Sequence, residues 1–216
     1  MTAVSSGRKI LDFSMNNAVW ILLILAIGIM GLFRPSFFSV GILSNILVQA
    51  TVLGLLAIAI SMVILLGDIN LSTVGTAGFS ALTGVIAMKS GLPVPLSILV
   101  ILIMGSIIGL VNGLIVTKLR ANALITTLAM NMVLQGALLA ITGGSSLSNL
   151  PDSFKFVSQG RILGFPALPL VLLVVFFVFH IVWTRTEFGR DLFAVGGNPR
   201  AAYIAGIKVD RVKIWA

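Results

Sequence analysis

The amino-acid sequence predicts an all-α polytopic membrane protein with about six transmembrane helices, and three observations carry that reading. First, 58% of the 216 residues are hydrophobic and only 9% are charged. A soluble domain carries roughly 25% charged residues, so there is too little charge here to cover a water-facing globule. The same composition excludes a disordered chain, which needs low hydrophobicity. Second, six apolar stretches, 17–33, 42–66, 72–88, 96–117, 122–142 and 166–183, contain none of the charged side chains (14 Lys+Arg, 6 Asp+Glu). A charge at mid-bilayer costs about 2.5–3.5 kcal/mol, so such segregation is what lipid demands. Third, a cytoplasmic N-terminus puts Arg8, Lys9, Lys118, Arg120, Arg185, Arg190, Arg200, Lys208, Arg211 and Lys213 inside, against Arg34, Lys89, Lys155 and Arg161 outside. That asymmetry follows the positive-inside rule. Helices satisfy the backbone within each span, and the period-two alternation of a barrel strand is missing from these runs.

The first span is almost purely aliphatic and reads as a retained anchor, without the small-residue cleavage site of a signal peptide. The second opens with Asn45 and Gln49, one helical turn apart, and closes in Gly67-Asp68-Ile69-Asn70-Leu71-Ser72. The third is short and rich in small residues, from Gly75 to Gly84. That points either to a broken helix lining a transport route or to close helix packing. The fourth carries Gly105, Gly109 and Gly113 on one stripe, where a neighbouring helix is expected to approach closely, with Asn112 beside it. The fifth carries Thr127, Asn131 and Gln135 four residues apart. An amide in hydrocarbon needs a partner. This face therefore looks either at neighbouring helices or at a wet path for a neutral polar solute. Asn45, Gln49, Asn70, Ser72, Asn112, Thr127, Asn131 and Gln135 are the candidate path residues. The 143–166 loop is long enough to be a docking surface for an external partner.

Residues 184–216 change character, with charge returning and Gly196-Gly197 expected to break any preceding helix. Asn198 suits an N-cap and Pro199 a first helical position. Arg200-Ala201-Ala202-Tyr203-Ile204-Ala205 then forms a two-turn helix ended by Gly206. So short a helix needs a surface to pack on. A partner's groove and the lipid headgroups both suit it. The net charge of +8 needs no nucleic acid, because basic membrane-flanking loops facing anionic lipid account for it. The absence of cysteine removes thiolate chemistry and Cys-based metal sites, and no catalytic residues or metal ligands stand out. The chain contains no Gly-x-x-x-x-Gly-Lys-[Ser/Thr] with which to cradle a nucleotide.

These residues resemble a known family. Ala201-Ala202-x-x-x-Gly206 resembles the cytoplasmic coupling motif of permease subunits in ABC importers. The longer run from Gly189-Arg190 through Gly196-Gly197-Asn198-Pro199 to Gly206-Ile207 resembles the monosaccharide, ribose-type branch. Gly67–Ser72, Gly109-Leu110-Val111-Asn112-Gly113 and Thr126-Thr127-Leu128 through Gly136 agree in order. The resemblance implies a single transmembrane permease domain over 1–216, with 184–213 as a cytoplasmic coupling loop. Further spans are expected after that loop, so the chain is expected to be incomplete at its C-terminus. It implies a multi-pass protein of the bacterial plasma (inner) membrane translocating a neutral sugar. Asn198, Pro199, Arg200, Ala201, Ala202, Tyr203 and Gly206 would couple it to an ABC ATPase subunit. It further implies a second permease copy (homo- or heterodimer) and a periplasmic or lipid-anchored sugar-binding protein. No cofactor is expected in this chain, and ATP and Mg would be bound by the partner ATPase. Two departures stand out: Arg200 replaces the glutamate of the general coupling motif, and Asn70 replaces the usual aspartate while Asp68 lies two residues earlier. Branched-chain amino acids or nucleosides are alternative cargoes. A more distant alternative is an intramembrane serine protease, from Gly78-Phe79-Ser80 and His180.

Overall fold

The computed structural model describes residues 17–145, 154, 160–162 and 165–216. The N-terminal arm with Arg8 and Lys9, and most of the 143–166 loop with its expected docking surface, lie outside the described residues.

Each apolar stretch forms one helix: α1 Ala18–Phe33, α2 Val40–Leu65, α3 Thr73–Lys89, α4 Val94–Lys118, α5 Ala123–Thr142 and α6 Ala167–Arg185. α2, α4, α5 and α6 are long and apolar enough to cross a membrane. α1 and α3, with 16 and 17 residues, reach about 24 and 26 Å at 1.5 Å per residue. Three short helices follow: α7 Glu187–Gly197, α8 Pro199–Ile204 and α9 Val209–Trp215. The strands among the described residues form a small antiparallel ladder before α6, pairing β1 Arg161–Ile162 with β2 Phe165–Pro166. The protein is an all-α polytopic membrane protein.

The chain divides into two compact units, residues 1–47 and 48–216. In the first, α1 runs into a 3-10 turn, Pro35–Phe38. The Phe38 ring fills the space beside Gly31, with Cε2 2.5 Å from where a Cβ would stand. In the second, α3 packs on both α4 and α5, and α9 packs on α4 and α7. Burial there is inverted relative to a soluble protein. Thr51, Ser72, Ser80, Ser97, Asn112 and Thr127 are buried, whereas large aliphatic side chains on every span are exposed. α6 buries no residue at all. Apolar surface on this scale is stable only against lipid or another apolar surface.

The small residues of α3 serve close approach. A Cβ on Gly84 would collide with the Ile101 side chain of α4, and one on Gly75 would stand 2.5 Å from Asn131 Oδ1 of α5. The non-helical backbone lies in the 66–72 turn rather than inside α3. The main buried cluster sits at that end of the bundle. Leu66, Leu192, Val195, Ala202 and Val212 form it, with Trp183 and Phe188 packed against it. α7 ends at the Gly196-Gly197 pair, as the sequence suggests, with both glycines as its last helical residues before extended Asn198. Gly196 is the point where α7 meets the backbone at the end of α2, since a Cβ there would collide with the Leu65 carbonyl oxygen. The fit of the two backbones outweighs the weak helix propensity of glycine.

Candidate functional site

A cavity of about 450 Å³ opens between the 66–72 turn, α4, the start of α5 and α9. Its volume lies in the range of small-molecule sites. Val63, Leu110, Val116 and Ile214 contribute apolar wall, and Asn70, Asn112 and Thr127 form a polar end. Local chemistry builds that end. The Asn70 Oδ1 accepts from the Ser72 N–H (2.9 Å) and from the Ser72 hydroxyl (2.8 Å), closing an Asx turn that starts α3. Asn112 Nδ2 donates to Ser72 Oγ at 2.9 Å. From α5, Thr127 Oγ1 accepts the Leu71 N–H at 3.0 Å and donates to the Ala123 carbonyl at 2.8 Å. Two helices, α4 and α5, thus hold the turn that starts α3. A single acceptor is left over: Asn112 is buried, and its Oδ1 has no protein partner.

The candidate path residues separate. Asn70, Asn112 and Thr127 meet in the cavity, with Ser72 directly behind them. Asn45 and Gln49 are exposed on α2, Asn131 is half-buried against Gly75, and Gln135 is exposed. None of those four lines the cavity. On α5 the reason is rotation: each four-residue step advances about 40° around a helix with 3.6 residues per turn, so Gln135 has turned off the face that buries Thr127. The glycine stripe of α4 meets different neighbours along its length. Gly105 lies 3.5 Å (as Cβ) from Ser80 Oγ of α3, and Gly113 3.1 Å from Ile214 Cα of α9. Gly109 between them faces the cavity. Sequence spacing did not reveal the cavity's ion pair, Lys213 Nζ to Asp68 Oδ2 at 2.6 Å, both half-buried. Its partners are 145 residues apart. The available signal was the one acidic residue between the second and third spans.

The second element is the segment beyond α6. Thr186 caps α7, accepting from the Gly189 N–H at 3.2 Å. Asn198 Oδ1 caps α8, accepting from the Arg200 and Ala201 N–H groups at 3.0 and 3.1 Å. Gly206, at φ +87°, closes the far end, and the Ile207 N–H returns to the Ala202 carbonyl at 3.0 Å. Ala202 is the one buried residue of α8, seated in the cluster with Leu192 and Val195. Pro199, Arg200 and Ala201 are exposed, and Tyr203 and Ile204 project at 74% and 85% exposure. Asn198→Ala removes both acceptors and is expected to destabilise α8 by about 1 kcal/mol. Faster tryptic cleavage at Arg200, with Asn198→Asp retaining protection, would register the loss.

Ser80 and His180 do not form a catalytic pair. Ser80 is buried beside Gly105, while His180 is exposed and stacks on Phe176 at 6.4 Å between centroids.

Comparison with known proteins bears on both elements. Residues 42–216 match the family described as branched-chain amino acid transport system, permease component. The ribose import permease protein RbsC of Haemophilus influenzae is 34% identical over 98% of this chain and 67% of its own length. The autoinducer 2 import system permease protein LsrC of Enterobacter sp. is 36% identical over 88% of this chain and 55% of its own length. The galactose/methyl galactoside import permease protein MglC of Escherichia coli is 29% identical over 94% of this chain and 66% of its own length. The chain therefore spans little more than half to two thirds of these relatives. No solved structure matches. The matched region contains the cavity, the glycine stripe and α8 together, and the chain belongs to this permease-component family as a multi-pass protein of the bacterial plasma membrane.

Proposed function

We propose that the chain is the membrane permease subunit of an ABC importer for a neutral sugar, with the cavity at Asn70, Asn112 and Thr127 forming part of the path. The observation that carries this reading is α8: a capped helix of six residues, held on the bundle through Ala202 while Tyr203 and Ile204 stand clear. A helix this short is not stable alone, and its outward apolar side chains suit the groove of a partner. That partner is an ATPase subunit, which binds ATP and Mg. The positive-inside bias puts α8 in the cytoplasm, where such a subunit resides. A second permease copy covers exposed apolar faces of the spans, and a sugar-binding protein delivers cargo from the other side. A neutral cargo fits the cavity because its two charged residues are paired with each other, leaving amides and a hydroxyl to meet sugar hydroxyls. Nucleotide closure of the ATPase pushes α8 and biases a two-state equilibrium of the spans.

The test replaces what projects, not what is buried. Tyr203→Ala with Ile204→Asp is expected to cut co-purification with the ATPase subunit by at least about tenfold, since a lost apolar anchor costs a binder roughly 2 kcal/mol or more. Membrane abundance should hold. Undiminished co-purification, or protease cleavage of Tyr203 from outside sealed cells, removes the reading.

A further inference from the structure

We infer that the Asp68–Lys213 ion pair is the gate between the inner cavity and the face that carries α8; the inference rests on the transport reading above. Two cavities adjoin in this part of the molecule. The inner one holds Asn112 and Thr127. The outer one, about 400 Å³, is shallow and lined by Arg120, Asn122, Pro199 and Asp210. Four residues line both: Asp68, Val116, Ala123 and Lys213. Val116 lies in the last turn of α4 and Ala123 opens α5, and neither side chain carries a polar group with which to hold the partition shut. Asp68 and Lys213 are the members of the partition whose side chains meet across it, at 2.6 Å.

The placement of Lys213 links the partition to α8. α9 carries it, and α9 follows α8 after a four-residue turn that includes Gly206. A second pair, Lys118 to Asp210 at 3.3 Å, also ties α9 to the end of α4, but it is exposed on both sides and screened by water. The Asp68–Lys213 pair is half-buried and less screened, so it is the stronger of the two restraints. A displacement of α8 that carries α9 outward separates Lys213 from Asp68. That joins the cavities and connects Asn112 Oδ1, the acceptor without a protein partner, to the outer face.

The test exploits a chain without cysteine. Ser106→Cys places one thiol on the lining of the inner cavity, and Lys208→Cys in a separate variant marks the face carrying α8, at an exposed residue outside the proposed ATPase contact. A charged methanethiosulfonate reagent is applied in turn to inside-out and right-side-out vesicles containing the assembled transporter without nucleotide. From the side that labels Lys208→Cys, Ser106→Cys is expected to react slowly. Asp68→Asn and Lys213→Gln should each speed that reaction by about tenfold. The exchanged pair, Asp68→Lys with Lys213→Asp, should return it towards the slow rate. Unchanged rates in both neutral variants overturn the gate. So does acceleration that the exchange fails to reverse, because the effect then does not belong to the pair. Failure of both neutral variants to reach the membrane assigns the pair to folding and overturns the gate as well. Labelling needs neither cargo nor ATP, so loss of ATPase co-purification or of sugar uptake bears on the transport reading and leaves this result separate.

Discussion

Gly196→Ala is expected to be the most damaging small substitution in the described part of the chain. α7 touches the end of α2 at that residue, and an added Cβ would collide with the Leu65 carbonyl oxygen. A flexible side chain can swing away from such a clash, but a carbonyl fixed at the end of a helix cannot. Relief requires α7 to move off α2 and to open the cluster that buries Leu192 and Val195 completely. Overpacking typically costs about 1–3 kcal/mol, and a backbone obstacle puts this site at the upper end. A loss of about 3 kcal/mol lowers the melting temperature by roughly 6–12 °C in a protein of this size. Gly197→Ala is the matched control. Nothing lies within 4 Å of its Cβ position, so the added methyl gains helix propensity without a clash. Thermal unfolding of the two purified variants in detergent should move in opposite directions, with Gly196→Ala also losing ATPase co-purification. Equal melting temperatures would mean that α7 does not rest on α2.

Asn112→Leu is expected to separate passage of cargo from stability. In a typical core, deleting a buried amide leaves a neighbour unsatisfied and costs about 1–3 kcal/mol. Here Ser72 keeps its bond to Asn70 Oδ1 when Asn112 is removed. The Asn112 Oδ1 has no protein partner to lose. The stability change should therefore be small. On the path proposed above, transport should fall by at least about tenfold, because a cargo hydroxyl that donates to that oxygen loses its acceptor. Thr127→Val gives the opposite pattern. It strips the Leu71 N–H of its acceptor and so lowers stability directly, whereas Thr127→Ser retains the oxygen. Uptake of the radiolabelled cargo into proteoliposomes of the assembled transporter, read beside the melting temperature of each variant, distinguishes the two. A large fall in melting temperature for Asn112→Leu would make that residue structural.

These variants show where sequence and structure each had authority. The six stretches free of charge became six helices with boundaries within a few residues, because exclusion of charge from lipid acts on each span separately and is written along the chain. The cap at Asn198, the left-handed Gly206 and the short helix between them were legible for the same reason: capping involves neighbours two to four residues away. The cavity was only half legible. Asn70, Asn112 and Thr127 stood out as polar residues in apolar surroundings, but so did Asn45, Gln49, Asn131 and Gln135, and composition could not rank them. The inward face of Ala202 was equally hidden, since the coupling pattern treats it like its exposed neighbour Ala201.

By itself, then, the sequence determined that this chain is helical and spans a membrane, and it determined where a short capped helix stands beyond α6. Only the tertiary structure decided which polar residues share a cavity, that Gly196 at the end of α7 touches the backbone of α2, and that Asp68 meets Lys213. The reason is range. Partition into lipid and helix capping depend on the local chain, whereas a cavity and an ion pair between residues 145 apart exist only once separate helices have chosen their neighbours.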